Sequence, residues 1–411
     1  MENNTTKTFY KTNIPSNWVI KKLKDIQIEG RLGGNYENAE ANNGIPVIKM
    51  GNLDRGVIKI EKVQYLSENE VHNKIDVLME GDLLFNTRNT LELVGKVAIW
   101  KNELPFAVYN SNLMRMKFDK KLVESNWFMN YAFNSHYGLS QLRGIATGTT
   151  SVAAIYGRDL ESIKFLLPPL PEQRAIAHIL SLMDTTINQN NQLIAQKELC
   201  KKWLMQNLLT GKKRLKGFGG EWKEYKLKYF IVDYNEKPKA GNDYEVLTSA
   251  KSGLMKQTDY YGDNRITNRE DVDYNVIPPN YITYRSRSDD GLFTFNKNTL
   301  GITGLISGYY PVFTIKNGDL DFILMYCNYY RQKLTKFSIG TSQLVLSMNA
   351  LKAACFSLPN TEEQTAIAQV LQAADKEIQL LKAKTNKLRE QKKGMMQVLL
   401  TGKKRLKMEN E

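Results

Sequence analysis

The strongest constraint in this sequence is an internal repeat, because one long segment occurs twice. Residues 167–216 return without a gap as residues 358–407, and 23 of the 50 paired positions are identical. Gln173 is matched by Gln364, 191 positions later, and the register still holds in the shared ending Leu-Leu-Thr-Gly-Lys-Lys-Arg-Leu-Lys. The segments that precede the two copies scarcely resemble each other. The chain is therefore a duplicated frame that carries two different inserts.

Each copy of the repeat has the pattern of one long amphipathic helix. Apolar side chains recur at alternating steps of four and three residues, from Ile176 to Leu208 and from Ile367 to Leu399. This spacing is a heptad seam with polar interruptions, typical of coiled coils. About 40 residues at ~1.5 Å each make a rod of roughly 60 Å. We expect the two helices to pair antiparallel, with the inserts at opposite ends about a pseudo-twofold axis. The alternative is that each helix packs on its own insert as ordinary core.

Short motifs predict where these helices begin and end. Pro171 suits the first turn of the first helix, because its nitrogen has no hydrogen to donate there. In the second copy, Thr361 fits an N-cap whose capping box is completed by Gln364. Gly211 and Gly402 follow the last apolar positions and can adopt the left-handed conformation that ends many helices.

The two inserts have the pattern of mixed α+β domains. Short β-rich segments bounded by turn residues predict strands, and one apolar segment in each insert predicts a helix. The predicted strands are 45–48, 57–60, 83–85, 94–100 and 113–118 in the first insert and 281–284, 292–295 and 312–315 in the second, with helices over 123–137 and 320–334. The expected fold class is α+β, with two globular domains separated by two long helices in an antiparallel coiled coil.

The charge balance favours a polyanionic partner. The chain has 57 lysines and arginines against 43 acidic residues, a formal net charge of +14, which attracts polyanions over long range. We expect nucleic acid. An anionic membrane surface is the alternative, disfavoured because no long basic amphipathic tail or lipidation signal is present. Because the sequence also lacks a secretory signal and a long apolar run, we expect a soluble cytoplasmic protein.

No residues in the sequence have the spacing of a catalytic or metal site. His72, His136 and His178 are isolated from one another and from the three cysteines, which disfavours metal ligation. A nuclease could be imagined from Glu221-Trp222-Lys223, but the Glu-x-Lys pattern occurs often by chance. The missing catalytic arrangement favours a binding protein over an enzyme.

Candidate DNA contacts are polar, basic and aromatic residues on segments that resemble loops. Arginine can bond guanine with two parallel hydrogen bonds, asparagine or glutamine can do so with adenine, and hydroxyls and lysines suit phosphates. For any single residue a surface ion pair or a turn cap is an equal alternative, but the clusters at Arg88 and at Arg285 and Arg287 are favoured. The candidates are Asn86, Thr87, Arg88, Asn89, Tyr109, Asn110, Asn112, Arg115, Thr149 and Thr150 in the first insert, and Lys251, Tyr284, Arg285, Arg287, Tyr309, Thr341, Ser342 and Gln343 in the second.

With these motifs in view, the chain resembles the specificity subunits of type I restriction-modification systems over essentially its whole length. The most specific motifs are Leu-Pro-Pro-Leu-Pro-Glu-Gln-Arg-Ala-Ile-Ala at 167–177 and Leu-Pro-Asn-Thr-Glu-Glu-Gln-Thr-Ala-Ile-Ala at 358–368. Gly-Asp-Leu-Leu-Phe at 81–85 with Arg88, and the tryptophans Trp18 and Trp222, are also typical. The second insert departs from this pattern, because Asn-Tyr-Ile-Thr stands at 280–283.

The resemblance implies a domain order and a function. It implies target-recognition domains at 1–166 and 217–357, a central connector helix at 167–216 and a second connector at 358–411. Each recognition domain would read one half of an asymmetric, bipartite site in double-stranded DNA, and the helix pair would set the spacer between the halves. Half-sites on one face of B-DNA lie about one turn, ~34 Å, apart. The alternatives are a self-contained nuclease and a structural coiled-coil adaptor that does not bind DNA.

The resemblance also implies protein partners and places the chemistry on them. Two modification subunits would dock on the frame helices, and would carry S-adenosylmethionine and flip out the target adenine. Restriction subunits with ATP-driven translocation, using ATP and magnesium, would join them. This chain would bind no cofactor and no metal and would perform no catalysis. The positions expected to contact the partners are Gln173, Ile176 and Leu180 in the first helix and Gln364, Ile367 and Leu371 in the second.

Overall fold

The computed structural model describes residues 8–9, 12–40, 44–149, 151–239, 244–262, 273–341 and 343–406. The chain forms two compact units. Unit 1 contains Met1–Asn191 and Ala383–Glu411, and unit 2 contains Gln192–Lys382. Each unit therefore combines one insert with parts of both copies of the repeat.

Unit 1 contains two four-stranded sheets. The first is antiparallel, with the strand order Val97–Ile99, Leu83–Asn86, Leu113–Phe118 and Gln27–Leu32. The second has the order Val108–Tyr109, Pro46–Ile48, Gln64–Leu66 and Asn38–Ala39, and its first pair is parallel. Shorter strands pair as Arg88–Asn89 with Ala153–Ala154, Ala153–Ala154 with Thr147–Gly148, Lys164–Leu167 with Val19–Lys22, Leu53–Asp54 with Val57–Ile58, and Thr8–Phe9 with Thr12–Asn13.

The helices of unit 1 pack on the first sheet and close its core. Phe133 and Phe165 meet edge to face with ring centroids 4.7 Å apart, and Trp18 and Phe85 are fully buried in the same cluster. The inserted helices are Asn126–Phe133, His136–Ile145 and Gly157–Leu160, with 3-10 turns at Leu23–Asp25, Met50–Asn52 and Lys74–Asp76.

Unit 2 repeats the strand order of the first, antiparallel sheet although its sequence differs, whereas its second sheet has the parallel pair in another position. Its antiparallel sheet has the order Ile231–Tyr234, Val312–Ile315, Ile282–Tyr284 and Phe295–Lys297. Its second sheet has the order Gly253–Lys256, Glu245–Ala250, Gly304–Ser307 and Tyr274–Ile277, with a parallel middle pair. Two further pairs are Lys223–Lys226 with Cys355–Leu358 and Arg287–Ser288 with Leu344–Val345.

The core of unit 2 is built in the same way from different residues. Phe230, Phe313 and Phe322 are fully buried in one cluster with Leu371 of the second frame helix. The inserted helices are Gln257–Tyr261, Leu320–Tyr329, Arg331–Leu334 and Met348–Ala353, with 3-10 turns at Leu227–Tyr229 and Thr335–Phe337.

The two frame helices are Leu170–Leu208 and Thr361–Leu399, each 39 residues long. In unit 1, Glu172 pairs with Arg405 and Asp184 pairs with Lys392. The residue number rises from Glu172 to Asp184 in the first copy and falls from Arg405 to Lys392 in the second. The two frame segments of unit 1 therefore run antiparallel. The predicted α+β class, with an internal repeat and two long antiparallel helices, is confirmed.

Unit 2 contains the same two ion pairs with the copies exchanged. Here Glu363 pairs with Arg214 and Asp375 pairs with Lys201. Each of these residues has an identical counterpart 191 positions away in unit 1. Four identical positions of the repeat therefore preserve contacts between its two copies. The helices also pack on their own inserts, so the predicted pairing and its alternative both occur.

The N-terminus of the second frame helix differs from the prediction. Thr361 is already helical, and Asn360 is the cap, because its Oδ1 accepts a hydrogen bond from the Glu363 backbone N–H at 3.0 Å. Gln364 does not complete a capping box. Its side chain donates to the Pro359 carbonyl at 2.9 Å and accepts from the Asp319 N–H at 3.0 Å. The glycine prediction is confirmed, since Gly211 and Gly402 have φ of 68° and 71°.

Several predicted elements of the inserts have other boundaries, and three of them show why. The helix predicted over 123–137 is broken before His136, where the Ser135 Oγ caps a new helix by accepting from the Gly138 N–H. The helix predicted over 320–334 is likewise two helices. The strand predicted at 292–295 begins only at Phe295, because Asp290 accepts a hydrogen bond from the Leu292 N–H and holds a turn there.

Candidate nucleic-acid interface

A left-handed residue precedes the same strand in both units. In unit 1 it is Gly81, with φ of 86°, whose N–H donates to the Trp100 carbonyl at 2.8 Å. In unit 2 it is Asn280, with φ of 65°, whose N–H donates to the Asn298 carbonyl at 2.8 Å. Asparagine is one of the few residues besides glycine that tolerate this conformation. The second insert therefore departs from the Gly-Asp-Leu-Leu pattern in sequence but keeps the same left-handed backbone conformation at this position.

In unit 1 this strand leads to Arg88 at its exposed end. The Thr87 carbonyl accepts from the Ile155 N–H at 3.0 Å, and the Thr87 Oγ1 donates to the Asn112 carbonyl at 3.0 Å. Arg88 then pairs with Ala154 in the next short sheet. Its side chain is exposed and forms no ion pair with any residue that the structure describes.

Unit 2 builds the same arrangement with other side chains. The Ser286 carbonyl accepts from the Leu346 N–H at 2.8 Å, and the Ser286 Oγ donates to the Tyr309 carbonyl at 2.5 Å. Arg287 pairs with Val345 and is exposed, as is Arg285 two residues earlier. Both arginines are exposed, while Ser286 between them is buried.

Five of the predicted contact residues are buried, and the structure corrects their role. A side chain that reads DNA must reach a groove or a phosphate, whereas these side chains support the fold. Tyr284, for example, is fully buried and donates its hydroxyl to the Leu346 carbonyl at 3.0 Å. The five are Asn86, Tyr109, Asn110, Arg115 and Tyr284.

Arg115 shows why its sequence context was misleading. Its guanidinium donates to the carbonyls of Ile75 and Val77 at 2.7 and 3.0 Å and to the Asp82 carboxylate at 3.1 Å. It also lies over the ring of Tyr109, where burial raises the pKa of the phenol to about 12. All of these contacts lie inside unit 1. Arg115 therefore holds the segment that contains Ile75, Val77 and Asp82 in place.

The remaining predicted residues are accessible to different degrees. Thr87, Asn89 and Asn112 are half-buried, whereas Thr149, Thr341 and Tyr309 are exposed. Two exposed residues have acidic partners at the surface: Gln343 donates to Asp289 at 3.0 Å, and Lys251 pairs with Asp290 at 2.8 Å. Thr150 and Ser342 lie outside the described residues.

Three of the predicted residues of unit 2 line a cleft of about 480 Å³, together with Asp289 and Asp290. Lys251, Arg285 and Arg287 lie along it, and Tyr260 and Tyr261 form part of its wall. The two tyrosines were missed from the sequence, although two adjacent aromatic residues followed by glycine were a possible signal. The cleft thus brings positive charge and exposed aromatic surface together.

The six residues predicted to bind protein partners are also corrected, because all are buried within their own unit. Ile176 and Leu180 belong to the core of unit 1, and Ile367 and Leu371 belong to the core of unit 2. Gln173 donates to the carbonyls of Leu122 and Pro168 and accepts from the Glu124 N–H. Gln364 makes the matching contacts described above. A partner cannot reach these side chains while the units are folded.

Two other features are absent from the described residues. They contain no group of three or more His, Cys, Asp or Glu side chains arranged to hold a metal ion. Among the same residues, no helix has both the length and the apolar character needed to span a bilayer.

Comparison with known proteins identifies the family. The model described as the type I restriction modification DNA specificity domain matches residues 15–198 and again residues 220–390. The chain belongs to the type I restriction-modification DNA specificity family. As a member, it has the role of a specificity subunit, and the nuclease and structural-adaptor alternatives are not supported.

Relatives and solved structures agree with this family. The putative type I restriction enzyme MjaX specificity subunit of Methanocaldococcus jannaschii is 26% identical over 96% of this chain and 95% of the relative. The MjaVIII specificity subunit of the same organism is 24% identical, with 98% and 96% covered. The crystal structure of the type I restriction-modification S subunit from M. genitalium covers 96% of this chain and 97% of its own, with a TM-score of 0.59 and 13% identity. At that identity the likeness concerns the fold alone.

Proposed function

We propose that each unit of this specificity subunit reads one half of an asymmetric, bipartite site in double-stranded DNA. One observation carries the proposal: two inserts with little sequence in common present an exposed arginine at the same place in the same strand arrangement. The arginines are Arg88, opposite Ala154, and Arg287, opposite Val345. A duplicated frame that holds different readers suits a site whose halves differ.

The surroundings of these arginines support base reading near phosphates. Guanidinium groups can bond base edges, and exposed hydroxyls such as those of Thr149 and Thr341 suit phosphate oxygens. The formal net charge of +14 adds a long-range attraction that does not depend on sequence. Asn89 and Asn112, which are half-buried, lie beside the reading position of unit 1 as further candidates.

The chemistry is proposed to belong to partner subunits. Two modification subunits with S-adenosylmethionine would methylate adenine, and restriction subunits with ATP and magnesium would translocate and cut DNA. This chain would choose the site in the cytoplasm and catalyse nothing. Because the predicted partner contacts are buried, these subunits would dock on exposed side chains of the frame. We retain the domain boundaries at 1–166, 167–216, 217–357 and 358–411 as part of this proposal.

Binding selection with the full chain tests the proposal. The chain, co-expressed with its modification subunits, is used to select from a random duplex DNA library, and selected sites are sequenced. We expect a bipartite consensus, with Arg88→Ala relaxing one half and Arg287→Ala relaxing the other. Contacts to ~6–10 phosphates should weaken binding about a thousandfold or more between 50 and 200 mM salt.

Two outcomes would contradict the proposal. One is a library with no consensus, and the other is an unchanged consensus for both arginine variants. Incubation of the purified chain with magnesium and the selected DNA tests the absence of catalysis, since reproducible cleavage without partners would make the chain a nuclease. Arg158→Ala, which removes an exposed arginine of unit 1 from another helix, is the matched control for charge loss.

A further inference from the structure

Arg287 differs from its counterpart in unit 1, Arg88, in being held by an aromatic ring. Its guanidinium carbon lies 4.3 Å from the centroid of the Tyr309 ring. Tyr309 is itself 62% exposed, so the stacked pair lies at the surface of unit 2. Among the described residues, no ring is recorded over Arg88. Stacking on an aromatic face restrains a guanidinium plane while leaving its N–H groups free.

The backbone holds the two members of the stack together. The Ser286 Oγ donates to the Tyr309 carbonyl at 2.5 Å, which ties the strand of Arg287 directly to the segment that carries the ring. On the other side, Arg287–Ser288 pairs antiparallel with Leu344–Val345. The guanidinium therefore projects from a fixed two-stranded ribbon. Because it is already restrained, it would lose little conformational entropy on binding.

The carboxylates near Arg287 have other partners. Asp289 accepts a hydrogen bond from Gln343 at 3.0 Å. Asp290 accepts from Lys251 at 2.8 Å and from the Ser288 hydroxyl at 2.7 Å, and these contacts hold the pKa of its carboxyl below the usual range. No described carboxylate forms an ion pair with Arg287. Its hydrogen-bond donors are therefore available to a ligand.

The shape and chemistry of this feature match one base edge. A two-stranded ribbon fits the major groove, which is about 12 Å wide, and a planar guanidinium can donate two parallel hydrogen bonds to O6 and N7 of guanine. We propose that Arg287 recognises a guanine through the major groove in the half-site read by unit 2, with Tyr309 as the residue that positions it. This inference rests on the proposed function of the two units.

The alternative role for an exposed arginine is a phosphate contact, and the two roles respond differently to lysine. A lysine keeps the positive charge but cannot form the planar pair of hydrogen bonds. We expect Arg287→Lys to keep overall DNA affinity while losing preference for guanine at one position by roughly tenfold to a hundredfold. Equal loss on all sequences, or full discrimination by the lysine variant, would overturn the proposal.

Altered bases test the same contact from the DNA side. In the selected site, 7-deazaguanine removes the N7 acceptor from the major groove, whereas inosine removes only the minor-groove amino group. We expect 7-deazaguanine at the proposed position to weaken binding by the wild-type chain about tenfold or more and to leave binding by Arg287→Ala unchanged. Inosine should have little effect on either protein. Sensitivity to inosine alone would exclude this mode of reading.

Variants of Tyr309 test the positioning role. Tyr309→Phe keeps the ring and should keep guanine discrimination, whereas Tyr309→Ala should lose part of it without loss of folding, because the side chain is exposed. If Tyr309→Ala discriminated as well as the wild type, the stacking would have no role. Arg331→Ala, which removes an exposed arginine from a helix of unit 2, is the control for charge.

The selection separates failure of this inference from failure of the proposed function. If Arg88→Ala relaxes one half-site while Arg287→Ala leaves the other intact, or relaxes a position that is not guanine, the guanine contact is wrong and reading by halves stands. If neither variant changes the consensus, the proposed function itself fails.

Discussion

The Nζ of Lys392 lies 2.5 Å from the Oδ1 of Asp184, and the repeat forms the same pair between Lys201 and Asp375, also at 2.5 Å. Each pair takes one residue from each copy of the repeat. All four carry identical residues at positions 191 apart. Within its own unit, each pair joins antiparallel segments of the two copies, so these identities preserve the same contact in both units.

Loss of one of these cations should destabilise unit 1. Lys392→Met removes the cation from the Asp184 carboxylate, whose side chain is 19% exposed and still accepts a hydrogen bond from the Tyr131 hydroxyl. We expect the free energy of unfolding to fall by about 1–3 kcal/mol, measured by urea denaturation. The control is Lys382→Met, which breaks a half-exposed pair with Glu198 and should cost under about 1 kcal/mol. Equal losses would show that burial does not matter here.

The cap of the second frame helix can be tested by two adjacent substitutions. Asn360→Ala removes the side chain that accepts from the Glu363 N–H and should lower the free energy of unfolding by about 1 kcal/mol. Thr361→Ala changes a residue already inside the helix and should cost less than about 0.5 kcal/mol. Thermal or urea denaturation distinguishes them, and a larger effect at Thr361 would restore the capping box predicted from the sequence.

Two arginines of unit 1 should have opposite phenotypes. Arg115→Ala strands the Asp82 carboxylate and two backbone carbonyls in a buried site, so we expect a loss of about 2–4 kcal/mol in unfolding free energy. Arg88→Ala removes an exposed side chain and should change stability by less than about 0.5 kcal/mol while altering the selected DNA sequence. Denaturation and library selection on the same two proteins provide the comparison. A stable Arg115→Ala protein would contradict the assigned support role.

Cysteine reactivity should distinguish the interior of unit 2 from its surface. Cys327 is buried, and this burial raises the pKa of its thiol to about 12, whereas Cys200 and Cys355 are exposed. At pH 8 we expect two thiols to react with a colorimetric disulfide reagent in the native protein and the third only after unfolding. Rapid reaction of all three would place Cys327 at the surface.

The same thiol makes stability depend on alkaline pH. Its folded pKa is above the unfolded value, so its contribution is fully present below about pH 8.5 and is lost as pH rises towards 12. The free energy of unfolding, measured by urea denaturation, should fall over that window by up to about 1.4 kcal/mol per pH unit from this group. Cys327→Ala should show a shallower decline than Cys355→Ala, which serves as the control.

The frame was largely predictable from sequence because its information is local and repeated. Heptad spacing, Pro171 and the glycines Gly211 and Gly402 act within one or two turns, so they predicted both long helices closely. The cap at Asn360 was missed because Thr361 has an equally suitable side chain, and only backbone geometry decides which residue begins the helix. The break before His136 was also missed, because only the backbone geometry shows that Ser135 caps a new helix there.

The candidate site was only partly predictable. Arg88 and Arg115 have similar polar and aromatic neighbours in sequence, and their difference arises from partners that are far away along the chain. Arg115 meets Ile75 and Val77 across the fold, whereas Arg88 has no ion-pair partner in the part of the chain that the structure describes. Burial depends on these distant neighbours. Residue type alone therefore could not distinguish an arginine that is available to contact DNA from one that stabilises the fold.

By itself, the sequence determined that two copies of one helical frame carry two different α+β inserts, because periodicity and identity are properties of the chain. Only the tertiary structure decided that Asn280 keeps the left-handed backbone conformation of Gly81 and that Arg287 is the counterpart of Arg88. It also placed Arg287 on Tyr309. The physical reason is that backbone conformation and long-range packing can be satisfied by different residues, so equivalence of structure persists where equivalence of sequence has been lost.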